Sequence, residues 1–222
     1  MDDYLKNTVS EFQKNENLKI AHRQKAYMKG HFEFYGITSP IRKEIQRPYL
    51  HKLNLPHKKD LKKIIINLWQ KPERELQYFA QELVQKYAKV FEKQDITLFE
   101  YMIENRSWWD TVDYIASNIL GSFFKTYPEL REFYVKKWIE SQNIWLQRSA
   151  LLFQLKYKDE VDTKILSDTI DSLLGSKEFF INKAIGWSLR QYSKFNTEWV
   201  TEFAKRTPLE NLSRREALRL IK

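Results

Sequence analysis

Trp145-Leu146-Gln147-Arg148-Ser149-Ala150 is the stretch that decides the fold, because variants of it recur along the chain. The other versions are Glu75-Leu76-Gln77-Tyr78-Phe79-Ala80 and Phe180-Ile181-Asn182-Lys183-Ala184. Each runs on to a tyrosine, at Tyr87, Tyr157 and Tyr192. The last two tyrosines are 35 residues apart and the first two are 70 apart, twice that spacing. A period of this length fits a two-helix repeat of the HEAT or TPR size class. Equivalent positions of successive repeats then line up along one surface, and one helix of each pair builds the concave face that usually binds a partner. The expected fold class is all-α, a solenoid of HEAT-like antiparallel helix pairs.

The rest of the chain reads the same way. Only 5 Gly and 6 Pro interrupt 222 residues, while 7 Trp, 12 Tyr and 14 Phe supply core material. Few helix breakers and many large apolar residues favour a chain that is nearly all helix. Leu61, Ile64, Ile65 and Leu68 recur at steps of three and four, the spacing of one helical face. Pro40, Pro72, Pro128 and Pro208 each precede a periodic segment, where a first-turn proline belongs. The pattern predicts about a dozen helices joined by short loops, with no alternating strand. Phe34-Tyr35-Gly36-Ile37-Thr38-Ser39-Pro40 is the clearest loop before a helix. The length suits a single repeat domain over residues 1–222.

Charge and composition narrow the partner. Lys and Arg number 38 against 29 Asp and Glu, a net charge of +9, which favours an anionic partner: nucleic acid first, a membrane surface second. There is no Cys, so disulfides, thiolate zinc sites and a Cys nucleophile are excluded. The start, Met1-Asp2-Asp3-Tyr4-Leu5-Lys6, is acidic and lacks the apolar centre of a signal peptide. No apolar run approaches the ~20 residues of a membrane span, so the expectation is a cytoplasmic protein with no membrane partner. The four histidines show no zinc-ligand spacing, and His31, His51 and His57 read as loop or surface residues. No Gly-rich phosphate loop is present, which speaks against nucleotide hydrolysis. No metal and no cofactor are expected.

The period also places a polar row. Asp113, Arg148 and Lys183 are each 35 apart and should share one repeat position. Trp109 lies four before Asp113 and Trp187 four after Lys183, on the same helix faces. Arg190 and Lys194 continue the face of Lys183 and Trp187, and Lys156 lies eight after Arg148 on the same side. Singly, a Trp in a helical repeat is usually core and a lone cation usually a solvated group. A shared row of one acid and two cations is unsuited to a core, and it predicts a solvent-facing concave surface. The cations suit phosphates. The acid repels them, so it belongs there only if a positive charge must be stabilised. Breaking an N-glycosidic bond creates an oxocarbenium-like sugar, and a carboxylate beside it stabilises that charge or directs a water. A purine alkylated at N3 or N7 is already cationic and leaves neutral, so one carboxylate suffices. Flanking indoles add cation–π attraction.

At these residues the chain resembles the AlkD family of bacterial alkylpurine DNA glycosylases. The resemblance runs along essentially the whole chain. It is densest in Ser107-Trp108-Trp109-Asp110-Thr111-Val112-Asp113, in Asn143 to Arg148, and in Lys177 to Trp187. Tyr27-Met28-Lys29, Phe34-Tyr35-Gly36-Ile37 and Pro40-Ile41-Arg42 also fit. The resemblance implies a concave, basic DNA-binding groove and a monofunctional glycosylase, in which water rather than a lysine displaces the base. It assigns Asp113 as the catalytic carboxylate, Trp109 and Trp187 as flanks of the lesion's deoxyribose, and Arg148 as the holder of a backbone phosphate. Lys183, Arg190, Lys156 and Lys194 are further DNA-binding candidates. Thr38 and Ser39 complete the set as phosphate contacts, and Arg42 and Lys43 as DNA-backbone cations. The implied partner is double-stranded DNA carrying alkylated purines, met by a bacterial monomer acting on the nucleoid. A shallow groove implies a grip on sugar and backbone rather than a base flipped into a deep pocket.

Two other readings fit the same charge. A non-catalytic DNA- or RNA-binding solenoid uses the basic surplus equally well but gains nothing from Asp113 between Trp109 and Arg148. A protein-interaction scaffold predicts binding that is insensitive to salt. Lys183 as a nucleophile would make the protein a lyase.

Overall fold

A computed structural model describes residues 2–221, with side chains from residue 3 onward. Met1, which opens the acidic start, and Lys222 lie outside the described residues. The architecture is all-α: fourteen α-helices with short 3₁₀ turns, and among the described residues the only β pairing is an isolated bridge between Glu33 and Glu73. Among the described residues no helix is long and apolar enough to cross a membrane. The chain divides into two compact units that meet in sequence at Phe91 and Glu92.

The first unit holds α1 (Asp2–Lys14), α2 (Leu18–Tyr27), α3 (Ser39–Gln46), α4 (Lys58–Gln70) and α5 (Arg74–Gln85). The periodic residues Leu61, Ile64, Ile65 and Leu68 of α4 are all buried, and α5 packs on them through Leu76, Phe79, Ala80 and Leu83. Burying side chains of this size stabilises by roughly 1.5–3 kcal/mol each. Pro40 occupies the first turn of α3, as its fixed φ favours.

The loop before α3 is pinned from two sides. Glu75 of α5 is fully buried, and its carboxylate accepts the backbone N–H groups of Tyr35 (3.1 Å), Gly36 (3.0 Å) and Ile37 (3.1 Å). Burial pushes the Glu75 carboxyl above its ordinary range, and the backbone hydrogen bonds oppose that shift. On the other side Gly36, at φ +85°, lies directly on α2. A Cβ there would sit 2.1 Å from the Asn17 carbonyl oxygen. Asn17 in turn donates its N–H to Tyr35 O at 2.7 Å and caps α2 with its side chain.

The second unit holds α6 (Ile96–Glu104), α7 (Trp109–Tyr114), α8 (Gly121–Thr126), α9 (Arg131–Glu140), α10 (Ile144–Leu152), α11 (Thr163–Asp171), α12 (Phe179–Tyr192), α13 (Thr197–Arg206) and α14 (Asn211–Ala217). Its helices stack as successive layers: α7 on α10, α10 on α12 and α12 on α14, with α9 against α11 in a parallel row. This is the order that the 35-residue period predicts for Asp113, Arg148 and Lys183. The core of the last layers includes Leu151, Leu166, Ile181, Ile185, Leu189 and Phe203.

Between α7 and α8 the backbone winds wider, as a π-helix over Ile115–Leu120. Such segments are rare and concentrate at functional sites. Side chains bind carbonyls one turn back along it: Ser117 Oγ donates to Asp113 O (2.7 Å), Asn118 Nδ2 to Tyr114 O (2.9 Å) and Ser122 Oγ to Asn118 O (2.7 Å).

Gly36→Ala is expected to destabilise the protein by at least about 2 kcal/mol, the sum of a left-handed backbone strain of ~1–3 kcal/mol and a backbone clash. Urea unfolding of the full chain measures it, and an unchanged midpoint would show that the loop is not held as described.

Candidate active site

Asp113 and Arg148 form the centre of the second unit's polar face. Asp113 lies near the end of α7 and Arg148 in the middle of α10, which starts under a firm cap: Asn143 Oδ1 accepts from the N–H groups of Trp145 (2.9 Å) and Leu146 (3.3 Å). The guanidinium meets the carboxylate edge to edge. Arg148 Nε donates to Asp113 Oδ1 at 2.7 Å and Nη2 to Oδ2 at 2.9 Å, the paired geometry that arginine forms best. Arg148 Nη1 donates to the Phe180 carbonyl at the start of α12. Arginine and aspartate side chains are only 4% and 16% exposed.

An aromatic cluster adjoins the pair through Phe180. Trp108, Trp145 and Phe180 pack on one another with centroids 5.7, 5.3 and 5.0 Å apart, and the Arg148 guanidinium carbon lies 5.8 Å from the Phe180 ring. Displacing water in this way strengthens the ion pair and raises the cost of breaking it. The Asp113 carboxyl is pushed above its ordinary value by burial. Arg148 pulls it back through its hydrogen bonds and charge, and Asp110 adds repulsion.

Trp109 is the first residue of α7, half-buried, one turn before Asp113. Trp187 is half-buried on α12 and packs against the unit's core. The row does not extend evenly to Lys183. Lys183 Nζ pairs with Glu216 Oε1 of α14 at 2.8 Å, and Arg190 reaches the other oxygen of the same carboxylate. The two cations hold the buried Glu216 carboxyl below its usual range, with the Lys183 hydrogen bond foremost. Gly186 makes the approach possible: a Cβ there would meet Glu216 Cβ at 2.5 Å and Ser213 O at 2.8 Å. Lys156 is exposed and donates to Asn118 Oδ1 at 2.6 Å, and Lys194 is exposed just past α12.

The expectation of an open polar row is therefore corrected. Arg148 is buried, with donors committed to Asp113 and Phe180, because an acid one repeat away lies within bonding reach. In the first unit Arg42 is also buried, pairing with Glu82 at 2.8 Å and Gln46 at 2.8 Å rather than standing free as a backbone cation. Lys43 and Ser39 are exposed on α3, and Thr38 is half-buried at its N-cap without a side-chain capping bond. Among the described residues no three His, Asp or Glu side chains come together as a metal site.

Known proteins bear on this geometry. The model of the family described as DNA alkylation repair enzyme matches residues 8–221. The chain belongs to that family. A solved structure described as a predicted DNA alkylation repair enzyme from Enterococcus faecalis is similar to this family member, at 33% identity and a TM-score of 0.87. The match covers 93% of this chain and 97% of that one. No curated protein matches significantly. A role in repair of alkylation damage, with DNA as substrate, follows from the family.

Reading the sequence missed the side chains that support this site. Trp145 and Phe180 are one 35-residue period apart, three positions before Arg148 and Lys183, so a second periodic row was there to be seen. Glu216 lies 33 residues after Lys183 and off the period, and no sequence signal marked it.

Arg148→Met is expected to cost about 3–5 kcal/mol, because it leaves the Asp113 carboxylate buried and unpaired. Adding Asp113→Asn should recover part of that loss, a coupling that urea unfolding of the single and double variants measures. Strict additivity would mean the pair does not act as a unit.

Proposed function

We propose that this family member is a monofunctional DNA glycosylase that hydrolyses the N-glycosidic bond of cationic N3- and N7-alkylated purines in duplex DNA. The observation that carries the reading is the Asp113 carboxylate, mostly buried and held by two hydrogen bonds from Arg148. A fixed anion of this kind stabilises positive charge as it develops, without reorganising. When the bond from the sugar to the purine breaks, its electron pair moves to the base and cancels the charge that alkylation placed there. The sugar becomes oxocarbenium-like, water adds to its anomeric carbon, and the water's proton is released. No acid is needed for the leaving group, which fits a site built on one carboxylate.

The supporting roles follow. Arg148 keeps Asp113 ionised and oriented, so its contribution to phosphate binding is secondary. Trp109 and Trp187 offer indole faces to the sugar and the cationic base. The Lys183 side chain is tied to Glu216 of α14 at 2.8 Å, which favours water over a lysine as the attacking group. Lys156, Arg190, Lys194 and the exposed Ser39 and Lys43, with Thr38, complete the backbone contacts.

Native protein is expected to release free base from a duplex carrying 7-methylguanine. Asp113→Asn should lower that release by roughly 10²–10³-fold while DNA binding persists. Salt-sensitive binding with no release by the native protein would instead establish a non-catalytic DNA binder.

The pH profile gives a second test. Ionised Asp113 is the active form, so activity falls as pH drops through its pKa, and burial places that limb above the ordinary carboxylate value. Removing the cation raises the carboxyl further, so Arg148→Gln should move the acid limb of kcat/KM to higher pH. A limb that stays in place would mean that Arg148 does not tune Asp113.

A further inference from the structure

The net positive charge is not spread along the chain. Residues 1–91 hold 18 Lys and Arg against 10 Asp and Glu, a surplus of eight. Residues 92–222 hold 20 against 19, a surplus of one. The unit that contains Asp113 is therefore close to neutral, and the other carries almost all of the net +9.

Pairing sharpens the contrast. On the polar face of the second unit, Arg148 is matched to Asp113, and Lys183 and Arg190 share Glu216. Cations tied to a buried carboxylate have less charge left to neutralise phosphates and displace the counterions condensed on DNA, so they add less to a phosphate contact. In the first unit Lys19 and Arg23 stand one turn apart on α2, a helix with no acidic residue. Lys43 and Arg47 stand one turn apart on α3 and its C-cap. All four are exposed, and none has a carboxylate partner among the described residues.

These two helices are also held in register. The loop that leads into α3 lies along α2, with Gly36 against the Asn17 and Ala21 backbones and Gln24 Nε2 donating to Ile37 O at 3.2 Å. The buried Glu75 clamps the same loop from behind through its three backbone hydrogen bonds. Exposed cations on mutually fixed elements track a phosphate backbone at lower entropic cost than cations on independent ones.

We infer that the salt-sensitive, sequence-independent grip on DNA phosphates lies in the first unit, on the faces of α2 and α3 that carry Lys19, Arg23, Lys43 and Arg47. The Asp113 unit supplies the smaller share, through the exposed Lys156 and Lys194. The inference rests on DNA as the substrate and not on the glycosylase chemistry.

The test is the slope of log Kobs against log salt for the full chain on undamaged duplex DNA. Each neutralised phosphate contributes about 0.9 to that slope. Lys19→Gln, Arg23→Gln, Lys43→Gln and Arg47→Gln combined should lower it by about 3.6 and weaken low-salt binding more than tenfold. Lys183→Gln with Arg190→Gln should lower it by less than about 1. Should the four-fold variant fold poorly, the α2 pair and the α3 pair made separately should each remove about half of its effect. Equal losses from the two units, a larger loss from Lys183 and Arg190, or no loss from the α2 and α3 changes overturns the inference. Because undamaged DNA is the probe, a native protein that releases no base but shows this pattern would refute the glycosylase reading and leave the phosphate surface standing.

Discussion

The second unit depends on one interaction, the buried ion pair of Asp113 and Arg148. Taking either charge out of water alone costs several kcal/mol, so neither is tolerated without the other. The neighbouring structure meets that requirement. Asn143 fixes the start of α10, the Phe180 carbonyl takes a third arginine donor, and the Phe180 ring, packed on Trp108 and Trp145, lies beside the guanidinium. The wide winding after Tyr114 continues the same helix, with Ser117 bound to the Asp113 carbonyl. Three stacked helices thus meet at a single charge pair.

Much of this was legible in the chain. The 35-residue spacing placed Asp113 next to Arg148, and the structure bonds them. The spacing could not show how deep they lie. Periodicity reports which residues share a face, whereas burial depends on what the neighbouring side chains cover, and here the pair is left only 4% and 16% exposed. Lys183 occupies the same repeat position, yet it turns to Glu216, a partner set by the close approach of α14 over Gly186. Arg42 shows the same limit: its partner Glu82 is 40 residues away on α5 and unmarked by any motif. Glu75, in the first of the recurrent stretches, resembles a surface acid in sequence but is the buried anchor of the loop before α3.

Buried acids do different work in the two units. Glu75 is satisfied by backbone N–H groups and holds a loop. Glu216 gathers two cations and cancels one of their two charges. Asp113 alone combines an arginine partner with residual exposure and a carboxyl raised by burial. Catalytic potential is a property of that combination, because a fully satisfied acid has nothing left to offer a reacting atom and a fully solvated one offers a field that water screens.

The character of the Asp113 carboxylate also bears on which step it serves. Both of its oxygens accept from Arg148, so although burial raises the carboxyl's affinity for a proton, each has fewer free lone pairs with which to take one from water. A general base needs the opposite: a carboxylate free to take a proton from water as it attacks. An electrostatic stabiliser needs only a fixed negative charge close to the developing cation, and a bidentate arginine fixes it without removing it. For a substrate whose base departs as a neutral purine, formation of the sugar cation is the demanding event, and water capture follows readily. The geometry therefore favours charge stabilisation over proton abstraction as the main contribution of Asp113 on the proposed reading.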